Sequence, residues 1–140
     1  CTALCGDAEA VAATLECDVA YLDPPYNQHS YLRNYHVWET LVRWDRPEVY
    51  GVACKRADCR TRVSAFNSRP GIGPALERTI AALGRCPTLV VSFSDEGYLP
   101  RAGLELMLGA RAHLHVMEIP YGRYVGAKIG IHNPRGERVG

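Results

Sequence analysis

Asp18-Val19-Ala20-Tyr21-Leu22-Asp23-Pro24-Pro25-Tyr26 is the stretch on which the fold turns. Val19 to Leu22 is a short apolar run, too brief for a helix and suited by composition to a strand. Two consecutive prolines stop it, because neither can donate to a sheet ladder and each holds φ fixed. A strand that halts on an acidic residue and a rigid turn fits an open α/β sheet, where function sits beyond the carboxyl ends of the strands. Residues 23–26 hold that place.

Upstream, Asp7 and Ala8 open a short helical stretch continued by Val11 to Leu15, with Asp7 suited to cap it. Downstream, Asn34 to Trp44 sets Tyr35, Trp38, Leu41 and Val42 on one helical face, and Pro47 is expected to end the helix. Tyr50 to Pro74 is polar, basic and punctuated by Gly and Pro, which predicts a long surface loop of the functional kind. Gly71-Ile72-Gly73 inside it reads as turn geometry. Pro74 is expected to open a helix reaching Leu83.

Thr88-Leu89-Val90-Val91-Ser92-Phe93 is the clearest strand, an apolar run suited to burial on both faces of a parallel sheet. Leu99 to Leu108 reads as the next helix, stopped by Gly109. His113 to Ile119 alternates like a half-buried strand, with Lys128-Ile129-Gly130-Ile131 as its antiparallel neighbour. The order β-α-β-α-β-β predicts the α/β class, with residues 1–140 as a single unit.

The chain has 140 residues, 47% of them hydrophobic and 22% charged, the composition of an ordinary globular domain. No run approaches the roughly 20 apolar residues that span a bilayer, so a cytoplasmic address without membrane contact is expected. The net charge of +1 gives no overall field for a polyanion, which leaves local clusters to make any nucleic-acid surface. Cys1, Cys5, Cys17, Cys54, Cys59 and Cys86 lack metal-site spacing, and the five histidines show none either. No metal and no disulfide are expected.

An exocyclic adenine amine is a poor nucleophile because its lone pair is delocalised into the ring. Two acceptors on its N–H bonds release that pair, and the Asp23 carboxylate with the Pro24 main-chain carbonyl can supply them. Tyr26 offers a flat face on which a base extruded from the duplex can stack, worth about 1–3 kcal/mol. Pro25, Asn27 and His29 fall where they would border the same base.

The run Asp23-Pro24-Pro25-Tyr26 resembles the catalytic D-P-P-Y motif of adenine-N6 DNA methyltransferases of the Dam-like class. The likeness extends to Tyr21 through His29, His36 through Leu41, Ser64 through Arg69, Ser92 through Tyr98 and Arg123 through Gly126. It implies a partial Rossmann-like, S-adenosylmethionine-dependent methyltransferase fold, comprising later strands, flanking helices and an antiparallel last pair. It implies catalysis by Asp23, Pro24 and Tyr26, restriction-modification as the setting, and double-stranded DNA as the partner. S-adenosylmethionine would be the cofactor, bordered by Asp7, Ala8 and Asp23. The family's Gly-rich loop F-x-G-x-G is missing, so the chain is expected to be the C-terminal part of a catalytic domain, completed by an N-terminal remainder.

Arg33, Arg43, Arg46, Lys55, Arg56, Arg60, Arg62 and Arg69 make residues 31–69 the most basic region. Lys55, Arg56 and Arg62 are the expected phosphate contacts, which bind without reading sequence. Asn67 and Arg69 carry side chains suited to bidentate contact with adenine and guanine. Two other readings stay open: methylation of the guanine amine in ribosomal RNA, and an inactive DNA-binding module.

Overall fold

A computed structural model of the chain describes residues 1–120. Its elements run α1 (Ala8–Ala12), β1 (Val19–Leu22), α2 (Tyr31–Asn34), α3 (His36–Arg43), β2 (Val49–Tyr50), β3 (Lys55–Arg56), α4 (Ile72–Ala82), β4 (Thr88–Val91) and α5 (Arg101–Gly109). Two 3₁₀ turns, Ala57–Arg60 and Ala65–Asn67, lie between β3 and α4.

The two apolar runs pair as expected: β1 and β4 are parallel neighbours, in register from Val19 opposite Thr88 to Leu22 opposite Val91. Both therefore end at the same edge, and the pairing extends one bond further, from the Ser92 N–H to the Leu22 carbonyl at 2.9 Å. Two residues ahead of the ladder, in the same register, the free thiols of Cys17 and Cys86 stand 2.6 Å apart. The hydrogen bond to Cys86 is the main reason the Cys17 thiol titrates above its usual range, and burial adds to it.

One face of the pair carries the core. Ala20 packs with Ala12 of α1, Leu83 and Cys86, and Leu15, Leu22 and Leu89 lie against them. The other face is open: Val19, Tyr21 and Val90 are exposed, so β4 is not buried on both sides as its composition predicts. Helix α4 buries Ile72, Ala75, Leu76, Thr79 and Ile80, the i, i+3, i+4, i+7, i+8 pattern of a single helical stripe. Leu76 is 1% exposed, and burial of such a side chain contributes about 2 kcal/mol. Arg111 donates to the carbonyls of Ile80, Leu83 and Cys86 and so closes the C-terminal end of α4.

Several boundaries depart from expectation. The segment 50–74 is no featureless loop: β2 and β3 form an antiparallel hairpin, and Cys59 is buried at 1% exposure. Helix α4 starts at Ile72 rather than Pro74, and Gly71 is required there because a Cβ would meet the Ala65 carbonyl oxygen at 2.8 Å. The helix expected over 34–44 runs from His36 to Arg43 as α3, and Tyr35 separates it from α2, a short helix that was not expected. Its apolar stripe is exposed, with Trp38 and Val42 prominent. It ends before Pro47 because Trp44 turns into the left-handed region at φ 50°, at a cost of about 1 kcal/mol. Helix α5 includes Gly109 and is closed by Ala110.

Residues 113–119 form no strand, so the antiparallel last pair is not formed on that side. Its expected partner, Lys128 to Ile131, lies outside the described residues, as does Arg123 to Gly126. Among the described residues no helix is long and apolar enough to cross a membrane, and no cluster of His, Cys, Asp and Glu could hold a metal ion.

Candidate active site

Asp23 to Tyr26 leave the carboxyl end of β1 directly beside the segment that leaves β4. Asp23 is exposed, and its carboxylate has no partner among the described residues. The Pro24 carbonyl accepts no hydrogen bond there either. Two acceptors thus stand open at adjacent positions.

Beyond them the chain is held firmly. The Tyr98 N–H donates to the Tyr26 carbonyl at 2.8 Å, and the Tyr98 hydroxyl donates to Gln28 Oε1 at 3.0 Å. Phe93 meets the Tyr26 ring at 5.8 Å between centroids, with the planes tilted by 56°. Gly97 closes the turn after β4, where a Cβ would collide with the Phe93 ring and stand 3.0 Å from the Ser94 carbonyl. A larger residue there would displace Phe93 from Tyr26.

Asn67 reaches back across 40 residues: its amide donates to the Asn27 carbonyl at 2.8 Å and the His29 carbonyl at 3.2 Å. Both of its N–H bonds are then used, so the donor half of the expected adenine contact is committed to the protein. Asn27 Oδ1 accepts from the His29 N–H at 3.0 Å, and His29 itself is exposed. The Arg69 guanidinium lies over the Tyr98 ring at 5.2 Å, beside the site rather than free of it. The anchoring by Phe93 and Tyr98 was not read from sequence. Its signal is positional, since these residues follow the strand that pairs with β1.

The basic cluster is where the structure corrects expectation most. Arg56 is 3% exposed and makes five hydrogen bonds, to Asp45, Asp58 and Thr40, which use all five guanidinium N–H donors. It is an internal tie and has nothing left for a phosphate. Asp45 and Asp58 are held below the usual carboxylate range, chiefly by hydrogen bonds from Arg56. Arg62 is half-exposed but pairs with Glu39 at 2.9 Å, and that bond lowers the Glu39 carboxyl. Arg43 shares Glu39 and Asp45. Lys55 is half-buried on the hairpin.

At the other end, Asp7 caps α1. Its Oδ1 accepts from the N–H groups of Glu9 and Ala10 at 3.1 and 3.2 Å, so Oδ2 stays open among the described residues. Ala8 begins the helix.

Residues 1–70 match the family model of the D12 class N6 adenine-specific DNA methyltransferases. The chain belongs to that family. Type II methyltransferase M.FokI of Planomicrobium okeanokoites is 31% identical over 121 residues, covering 84% of this chain and 18% of that protein. Modification methylase LlaI of Lactococcus lactis subsp. lactis is 49% identical over 83 residues, covering 59% of this chain and 13% of its own length. Modification methylase StsI of Streptococcus sanguinis is 25% identical over 126 residues, covering 88% and 19%. The chain spans less than a fifth of each of these relatives. No solved structure gives a significant match. Within the D12 class chain, the Asp23 edge and the hydrogen-bonded loop behind it fall inside the matched residues.

Proposed function

We propose that this chain supplies the base-acceptor half of an enzyme that methylates the N6 amine of adenine in double-stranded DNA, with S-adenosylmethionine as methyl donor, in a restriction-modification setting. The observation that carries the reading is the pair of open acceptors, the Asp23 carboxylate and Pro24 carbonyl, at the end of β1 in a member of the D12 class. Asp23 would accept from one amine N–H and Pro24 from the other, turning the nitrogen lone pair toward the donor. Tyr26, backed by Phe93, would stack on the extruded base. The prolines keep the acceptors on a rigid frame.

The donor set fits the cofactor at one point: the open Asp7 Oδ2 can accept from an adenine amino group while Oδ1 caps α1. The cofactor brings an electrophilic methyl group. Asp7, Ala8 and Asp23 are the residues of this chain that would border it.

The test is incorporation of labelled methyl from S-adenosylmethionine into duplex DNA, followed by nucleoside digestion. Label in N6-methyladenine is the expected result. Label confined to guanine of ribosomal RNA, or none in any nucleic acid with the chain joined to its N-terminal complement, would overturn the reading.

Asn67→Ala releases the Asn27 and His29 carbonyls from the amide that holds them. It is expected to lower kcat about 10-fold, since small misplacements of a positioned group carry costs of this order. The loss should be equal at all adenine sites. A change in site preference would instead show that Asn67 reads a base.

A further inference from the structure

We propose that Arg33 grips a backbone phosphodiester of the DNA next to the target nucleotide, an assignment that rests on the methyltransferase reading above. Most of the basic residues around it are otherwise engaged. Arg56 is saturated, Arg43 and Arg62 share Glu39 and Asp58, Arg60 lies over the Tyr50 ring and Arg69 over Tyr98.

Arg33 differs because it pairs with no carboxylate among the described residues: its one commitment is the Nε, which donates to the Cys59 carbonyl at 3.2 Å. The buried Cys59 thiol donates in turn to the Leu32 carbonyl, so the two contacts fasten α2 to the 3₁₀ turn and aim the guanidinium. Its two terminal nitrogens have no partner among the described residues.

Arg33 lines a cleft of about 100 Å³ together with Gln28, Ser30, Arg62, Val63 and Asn67. A single water needs about 10–15 Å³ of such space, so the cleft has room for a few waters or one tetrahedral oxyanion. Its lining holds two guanidinium groups and no carboxylate. Gln28 Oε1 already accepts from Tyr98, which leaves the Gln28 amide N–H groups as further donors. Gln28 follows Tyr26 by two residues. A phosphate held here flanks the extruded nucleotide, where the strand must be gripped when its base leaves the stack. Arg donates to phosphate through a planar fork, which a fixed Nε pre-orients.

Anisotropy of a fluorescein-labelled DNA duplex, titrated with the full chain at several KCl concentrations, tests the assignment. Arg33→Gln should weaken binding and reduce the slope of log Kd against log salt by about one, the share of a single phosphate contact. Arg85→Gln, an exposed arginine in the turn before β4, should leave the slope unchanged. An unaltered slope in Arg33→Gln, or an equal loss in Arg85→Gln, overturns the assignment and leaves the methyltransferase reading standing. Absence of binding by the unaltered chain overturns it together with DNA as substrate.

Discussion

Asp23→Ala is expected to reduce methyl transfer by about 1000-fold, about 4 kcal/mol of transition-state stabilisation, while duplex binding and thermal stability stay close to those of the unaltered protein. The magnitude follows from the charge that develops on the amine as it attacks: a carboxylate stabilises that charge, and a methyl group does not. The selectivity follows from the surroundings. Asp23 is exposed and without a partner among the described residues, so its removal breaks no tie and leaves no buried group unpaired. Pro24, Pro25 and Tyr26 keep the turn, and Tyr98 still holds the Tyr26 carbonyl. Asp23→Asn, which retains one acceptor oxygen without the charge, should fall between the two. Steady-state kinetics with labelled S-adenosylmethionine, beside duplex binding and thermal melts, checks all three. Turnover retained by Asp23→Ala would remove Asp23 from the mechanism, and a lowered melting temperature would give it a structural part instead.

What was legible in the sequence was what depends on short-range pattern. The runs Val19–Leu22 and Thr88–Val91 declared themselves as strands because short, mainly apolar runs ending on a polar turn admit few other fates. The helix after Pro74 was legible from Ala75, Ile80 and Leu83, but its first turn was not, because Ile72 between two glycines reads as a turn and is in fact buried in α4. The β2–β3 hairpin was not legible, since each strand has two residues and Gly51-Val52-Ala53-Cys54 contains none of the favoured hairpin dipeptides. Periodicity did place Trp38 and Val42 on one face of α3, but it states which residues share a face and not whether anything covers it. At 113–119 the alternation was present without a strand to pair with among the described residues. In the proposed site, Asp23-Pro24-Pro25-Tyr26 stood out because an acidic residue, a rigid turn and a strand end coincide in four consecutive residues. Asn67 and Tyr98 did not, because their partners lie 40 and 70 positions away.

Arg56 shows most sharply how partners distant in sequence reverse a local reading, and its replacement carries the largest expected effect on stability. Arg56→Met should lower the melting temperature by about 10 °C, the scale set by leaving two half-buried carboxylates without their buried counter-charge. Asp45 sits 11 positions upstream and Asp58 two downstream, and both would then face each other with only the half-exposed Arg43 and Arg62 nearby. Arg56→Lys keeps the charge but offers three donors from a point instead of five from a fork, so it should recover part of the loss. The same network sets an acid limit. Asp45, Asp58 and Glu39 are depressed in the folded protein, the first two by hydrogen bonds from Arg56 and Glu39 by one from Arg62. Their contribution is fully present above the ordinary carboxylate range, about pH 4, and is lost as pH falls through the lower folded-state values. Thermal melts between pH 6 and pH 2 should therefore show the unaltered protein losing stability steeply below about pH 4, with Arg56→Met starting lower and declining less. Parallel curves for the two proteins would mean that the Arg56 network does not set the acid response.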